Sequence, residues 1–426
     1  MERISISPPH KSETYVIAGS KALERFGYYG LRVMLVLYIT GDAFSMSRME
    51  ALEVYVFFTG TYYISIVVGG FLGDLLIGNK RAIIIGGFLQ AFGAYFLMFT
   101  YINTLYIGIV LVAIGGGLYS SNIKAQFGKL YLNKTKLLVA GFTIFTVAIN
   151  IGAFLGPLMI GALAENLSYV LGFFASGTAM LISVLILIYF KIFKINNNIY
   201  DFEDSKVLDL TEKKEVNDHE RNNEYRKNSR LRIMIIIGAM ILGSIFLYVY
   251  DFAVGEGHID LKLKFYESVN LPFSFWSNLN TILIIIIGIA TAIIWSFIYS
   301  KPIVNTAIGF LLGALSLFMV FLIPEDINDY HVIYLVISVF IFSVAEVLLG
   351  PAINSIIVKN ANPKYLAIIF SLRIIPFILY STVLGLQGKL FISVLAGIII
   401  FTSIGVLLLI LNKNMSKKIA GKNQLQ

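Results

Sequence analysis

GSKALERFGYYGLR, residues 19–32, sits inside an otherwise apolar run from Thr14 to Thr40. The run is long enough to cross a bilayer, which takes about 20 mainly apolar residues as a helix. Three charges cluster in its first half, Lys21, Glu24 and Arg25, and a fourth, Arg32, follows. An ionisable side chain at mid-membrane costs about 2.5–3.5 kcal/mol on insertion scales, so such groups face a protein interior or a wet cavity. On a helix, Lys21, Glu24, Arg25, Tyr28, Tyr29 and Arg32 recur at steps of three or four and form one stripe. An inert interhelical salt bridge is the plainer reading of that stripe. Three charges with two tyrosines fit a polar cavity better.

The rest of the chain has the composition of an all-α integral membrane protein. Of 426 residues, 58% are hydrophobic and 14% charged, and the mean hydropathy of +0.81 lies outside the soluble range. Twelve spans are expected, at 14–40, 51–78, 82–102, 105–128, 137–164, 168–193, 231–255, 272–299, 303–323, 331–358, 364–386 and 389–411. These are continuous apolar runs, not the short alternating segments of a membrane barrel. The chain has no cysteine, which excludes disulfides and thiolate metal sites. Residues 1–13 are polar, and the run from Thr14 is too long and too charged for a signal core, so no cleavable leader is expected.

The net charge of +8 could suggest a nucleic-acid partner, but its distribution does not. Lysine and arginine gather in alternate loops: Lys80 and Arg81; Lys129, Lys134 and Lys136; Lys191 and Lys194; Lys301; Lys359 and Lys364; and the tail from Lys413. Cationic loops stay in the cytoplasm, so both termini are expected on the cytoplasmic side of the cell membrane. Residues 194–230 are polar and of mixed charge, and read as a solvated linker. The expected organisation is an N-terminal segment (1–13), a six-helix bundle (14–193), the linker, a second six-helix bundle (231–411) and a basic tail (412–426). Transporters built from two such halves bind substrate near the midplane between them.

Two kinds of resemblance sharpen this. GGFLGDLLIGNKR (69–81) resembles the loop between the second and third helices of the major facilitator superfamily, through Gly70, Asp74, Gly78, Lys80 and Arg81. LERFGYYG (23–30) resembles the first-helix signature of proton-coupled oligopeptide transporters, with Glu24, Arg25, Phe26, Tyr28, Tyr29 and Gly30 in place. FTIFTVAINIGAFLGPL (142–158) is similar to that family's fifth-helix signature, and LPFSFWSNLN (271–280) and VAEVLLGP (344–351) to its eighth and tenth helices. The resemblance implies the superfamily fold, and the chain lacks the two extra helices that many bacterial members carry between the halves. It also implies a pocket with Tyr63, Asn150 and Asn280 as substrate contacts and Glu346 receiving a peptide amino terminus.

The departures matter as much. Lys21 stands where the family has a first-helix Glu, and Ser120 stands in GLYSSNI (117–123) where it has a fourth-helix Lys; only Asn122 of that Lys-Pro-Asn motif is kept. The two exchanges together keep one cation in the pocket. Lys21 can then do the missing lysine's work, paired with Glu24 or Glu346. Lys124, one turn beyond Ser120, is a second candidate, and its plainer reading is to snorkel to the nearby surface. Arg373, in FSLRIIPF (370–377), is a further possible partner for Glu346.

A short peptide is a zwitterion, so its site needs a cation, an anion and apolar walls. Arg25 can hold a carboxylate with its fork. Tyr28, Tyr29, Tyr63, Asn150 and Asn280 offer polar handles and aromatic faces, with Glu346 and Lys21 as the remaining charges of the substrate site. Proton coupling falls to Glu24 and Glu346. Arg32 and Asp251 lie near the outer ends of the first and seventh helices, a depth that allows a salt bridge, and the resemblance implies that they form the outer gate.

Other chemistry is poorly supported. His10, His219, His258 and His331 lie in termini, loops or a span edge, so no histidine cluster is placed to bind metal or relay protons. No phosphate-binding loop occurs, and no constellation of acid, base and nucleophile suggests an enzyme. The expectation is a cofactor-free, monomeric secondary transporter of di- or tripeptides or related zwitterions, partnered by protons and lipid. The alternative is a facilitator or exporter of another small anionic or zwitterionic metabolite whose coupling has changed. A non-transporting sensor would need a folded soluble domain, for which the linker is too polar.

Overall fold

The charged first segment is one long helix, α1 (Ser12–Thr40), packed between α5 (Leu138–Asn166) and α6 (Tyr169–Tyr189) of the same half. The computed structural model describes residues 10–190, 192, 229–250, 273–324, 329–376 and 394–423. The rest of the first half is α2 (Arg48–Phe71), α3 (Asn79–Phe96) and α4 (Ile102–Lys129). The second half supplies α7 (Ser229–Tyr250), α8 (Phe273–Phe297), α9 (Pro302–Phe321), α10 (Val332–Asn360), α11 (Leu366–Leu372) and α12 (Val394–Asn423). Asp251, residues 194–228 of the expected linker and residues 377–386 of the expected eleventh span lie outside the described residues.

Local chemistry marks the ends of these helices. Ser47 and Glu50 form a capping box at the start of α2, each side chain meeting the other's backbone N–H. Ser168 caps α6, and Pro302 opens α9 where its missing N–H leaves nothing unpaired. After α2 the chain continues as a π-helical turn, Leu72–Ile77, and reverses at Gly78 with φ of 84°. That backbone is strained for any residue with a Cβ, which explains a glycine in the sequence GNKR. Two boundaries differ from the sequence expectation: the third helix ends at Phe96 because a turn comes next, and the last continues as helix to Asn423.

Polarity is arranged for lipid. Val56, Ile64, Phe92, Ile286, Ile293, Leu407 and Ile410 are exposed on outer helix faces, while Lys21, Glu24 and Arg25 are buried. Among the described residues nine helices have the length and hydropathy to cross a membrane; α1 falls outside that count because of its charges. All backbone groups of such a helix are satisfied within it, as a bilayer demands.

Successive helices alternate in direction, so α1 begins and α12 ends at one face, called here the terminal face. Near that face the halves share a core. Phe127 of α4 and Phe145 of α5 pack 4.7 Å apart, and Phe142 meets Phe370 of α11 at 6.1 Å. Ile353, Ile357 and Val358 of α10 join the same cluster. A second cluster lies within the first half, around Tyr28, Leu31, Phe58 and Phe173.

Candidate functional site

The charges of α1 are held from two sides. On α5, a Cβ added at Gly152 would stand 3.0 Å from the Cβ of Arg25 and would overlap the Ala22 carbonyl. Only hydrogen fits there, so α5 lays its backbone against the turn of α1 that carries the stripe.

Glu24 is the centre of the constellation and is fully buried. Its Oε2 accepts from Lys21 Nζ at 2.8 Å and from Arg25 Nε at 2.7 Å, and its Oε1 accepts from Arg25 Nη2 at 2.5 Å. Of the two partners the sequence leaves open for Lys21, the structure selects Glu24. Lys21 also donates to Ser120 Oγ at 3.0 Å. The hydroxyl that stands in the family lysine's place therefore receives the α1 ammonium. Arg25 Nη2 donates further to Ser120 Oγ at 3.2 Å and to the Tyr62 hydroxyl at 3.0 Å. Among the described residues its Nη1 meets no acceptor, which leaves one edge of the fork for an incoming oxyanion.

Aromatic rings wall the cations. The Arg25 guanidinium lies 4.5 Å from the Tyr28 ring centre and 5.6 Å from that of Tyr29. Tyr28 is buried and packs 4.9 Å from Tyr62, so it is part of the wall and not an open handle. Lys21 lies 5.3 Å from the Tyr119 ring, whose hydroxyl is fixed by Ser20 at 2.6 Å. Such contacts are worth about 0.5–2 kcal/mol each depending on solvation.

On α2 the tyrosine that meets Arg25 is one the sequence reading did not single out. Tyr62, not Tyr63, reaches Arg25. The buried stripe of α2 runs through Phe58, Tyr62, Ser65 and Gly69, and one helical step turns Tyr63 about 100° away from it. Tyr63 is half-buried beside Tyr62 at 6.1 Å. The period of that stripe is the signal that identifies Tyr62.

The second half contributes a smaller group. Asn280 of α8 donates to Glu346 Oε2 at 3.0 Å and accepts from Ser343 Oγ of α10 at 2.6 Å. Two residues selected separately from the sequence are thus hydrogen-bonded to each other. Asn150 gives its amide to the Thr146 carbonyl of its own helix at 2.9 Å. Arg32 donates to the Tyr55 hydroxyl at 2.6 Å; its expected gate partner Asp251 lies outside the described residues.

At the terminal face, Asp74 joins the halves. It accepts from Asn79 Nδ2 at 2.7 Å and from the backbone N–H of Ile368 at the start of α11 at 2.8 Å. Asn79 also bonds Asn122 at 2.8 Å and receives Lys129 Nζ at 2.6 Å. No group of ligating side chains suited to a metal ion occurs among the described residues.

The dipeptide and tripeptide permease A of Proteus mirabilis is 33% identical over 172 residues, 40% of this chain and 35% of that protein. A di-/tripeptide transporter of Lactococcus lactis is 32% identical over 168 residues, 38% of this chain and 34% of that one. The matched stretch thus spans about a third of the length of these curated relatives. A solved POT family transporter in complex with 5-aminolevulinic acid shares the fold at a TM-score of 0.54 and 19% identity, over 96% of this chain and 97% of that one. The family model of the Major Facilitator Superfamily matches residues 17–375, from α1 to α11, and the chain belongs to that superfamily of multi-pass membrane transporters.

Proposed function

We propose that the protein is a peptide transporter that carries di- or tripeptides, or closely related small zwitterions, by alternating access between its two halves. The observation that carries this reading is the buried Lys21–Glu24–Arg25 constellation in the first half, set with the Asn280–Glu346 pair in the second. A zwitterion needs one cationic and one anionic receptor. Arg25 offers a free edge to the carboxylate, and Glu346 is the acid for the ammonium. Tyr29, Tyr63 and Asn150 line the space between them in this reading. The similarity to di- and tripeptide transporters in sequence supports the same class.

Proton symport rests on the same residues: Glu346 and Glu24 are the carboxylates available to carry the proton. Arg32 and Asp251 form the outer gate. The terminal face, with its lysines, is cytoplasmic, which puts both termini inside. The halves are residues 14–193 and 231–411, and the unit is a monomer in the cell membrane. The test is uptake of labelled dialanine into proteoliposomes with an alkaline interior. Uptake that exceeds the no-gradient control and collapses with a protonophore upholds coupled transport. Uptake equal in both conditions supports the uncoupled facilitator, and none at all rejects the peptide reading.

A further inference from the structure

Four residues beyond Ser120 on α4, about 6 Å along the helix, Lys124 turns across the seam between the halves and not out to lipid. Its ammonium lies 4.9 Å from the centre of the Phe370 ring on α11. One turn after Phe370 comes Arg373, half-buried, whose Nη1 donates to Asn354 Oδ1 of α10 at 2.6 Å. Its Nη2 points at α7, where a Cβ added at Gly243 would lie 3.3 Å from it. Among the described residues the charged groups that bear on Lys124 are Arg373 and Lys21, both cationic. Among the described residues, the phenol of Tyr248 gives Arg373 its electrostatic support. Among the described residues neither side chain meets a carboxylate.

Two like charges in a partly dry seam repel, and one aromatic face and one amide oxygen offset little of that repulsion. An oxyanion bridging them satisfies both: the planar fork of an arginine binds it along one edge and the lysine binds it as a point charge. We infer that Lys124 and Arg373 form a second anion subsite, which takes a side-chain carboxylate of the transported solute and makes acidic peptides the preferred substrates. The inference rests on the peptide reading of the main site. The spacing suits it, since a peptide residue spans about 3.5 Å and an acidic side chain reaches further. A ligand held by its backbone at Arg25 can therefore set a carboxylate one helical turn away. The two cations belong to different halves, so such a ligand also draws α4 and α11 together.

The experiment is a thermal-shift titration of the full chain in detergent with Ala-Glu, Ala-Ala, Ala-Lys and inorganic phosphate, since a ligand of the folded state raises its melting temperature. Ala-Glu should bind at least about fivefold tighter than Ala-Ala, and Ala-Lys weakest, as a net attraction of about 1 kcal/mol implies. In Lys124→Gln and in Arg373→Gln the ratio of Ala-Glu to Ala-Ala affinity should collapse to less than about twofold. Lys124→Arg keeps the charge and should keep the ratio, which separates loss of a subsite from loss of the fold. Equal affinities for Ala-Glu and Ala-Ala in the wild type, or a preference that survives Lys124→Gln, overturns the subsite and leaves the peptide reading standing. Phosphate protection that depends on Lys124, with no dipeptide binding, upholds the anion site, overturns the side chain as its occupant and rejects the peptide reading.

Discussion

His10 and Ser296 stand 286 positions apart in the chain and share a hydrogen bond of 2.9 Å. Ser296 spends its own proton on the Ala292 carbonyl at 2.7 Å, so it accepts from His10 Nε2. Nδ1 is then the acceptor, 2.8 Å from the Tyr131 hydroxyl, and Thr14 shares the same phenol at 2.9 Å. A neutral imidazole, with one donor and one acceptor nitrogen, satisfies this chain of bonds. It ties the start of α1 to the ends of α4 and α8, one from each half.

The latch is sensitive to acid. Burial, with Lys134 nearby, pulls the His10 imidazole down from 6.5 to about 4. The unfolded chain keeps the ordinary value, so between pH 6.5 and about 4 it binds more protons than the folded one. The contribution of the latch is therefore complete above pH 6.5 and is lost as pH falls to about 4. Melting temperature should drop across that window, and His10→Gln should flatten the drop. Parallel curves for the two proteins refute it.

Within the triad the three members are not equivalent. Glu24→Gln leaves Lys21 and Arg25 facing each other in a buried space without their shared counter-ion. Breaking a buried pair by removing one partner costs about 3–5 kcal/mol. Lys21→Met removes a charge but leaves the Glu24–Arg25 fork intact, so it should cost clearly less. Thermal unfolding of both variants tests the order, and equal or reversed losses contradict it.

Lys21 and Ser120 are in contact at 3.0 Å, so changes at the two positions should couple. Lys21→Glu alone places a second acid beside Glu24 and removes its cation, and uptake of labelled dialanine should fall by roughly tenfold or more, the loss expected when about 1.4 kcal/mol of binding is removed. Adding Ser120→Lys restores a cation within reach and should recover a substantial part of the lost uptake. Contacting residues show interaction energies of about 0.5–3 kcal/mol. A double variant that merely sums the single effects means the two substitutions are unconnected.

Asp74 offers a test of the closed terminal face. The chain has no native cysteine, so a single Val358→Cys reports without background. Val358 is buried at 1% exposure and lies against α4 near Gly128. Asp74→Asn weakens a charge-assisted bond to the Ile368 N–H, and labelling of that cysteine by a thiol reagent should speed up several-fold. Unchanged labelling counts against the clasp.

The fold was readable because hydropathy is additive along a helix: each span declares itself without knowledge of its neighbours. The α1 stripe was readable for the same reason, since its period lies within one segment. Pairing across the chain was not. Asn280 and Glu346 could each be singled out, yet nothing local says that one bonds the other. Lys124 fits a snorkelling side chain as well as a seam, because the direction of its turn depends on where α11 lies. His10 looks like an ordinary residue of a polar terminus until two distant hydroxyls are brought to it. Tyr62 was not legible beside Tyr63 because adjacent tyrosines on one helix differ by about 100° in facing, and only the buried partners of α2 show which of them meets Arg25.

The triad has a mechanical consequence. Lys21, Glu24, Arg25, Ser120 and Tyr62 all ride on one half, bolted to it through the α1–α5 contact at Gly152. If the halves swing apart, these distances travel unchanged, like instruments fixed to one wall of a room. His10 to Ser296, Asp74 to Ile368 and Lys124 to Phe370 bridge the doorway, and all three must part together. The first half is thus the keeper of the charge geometry, and the seam is where movement is felt.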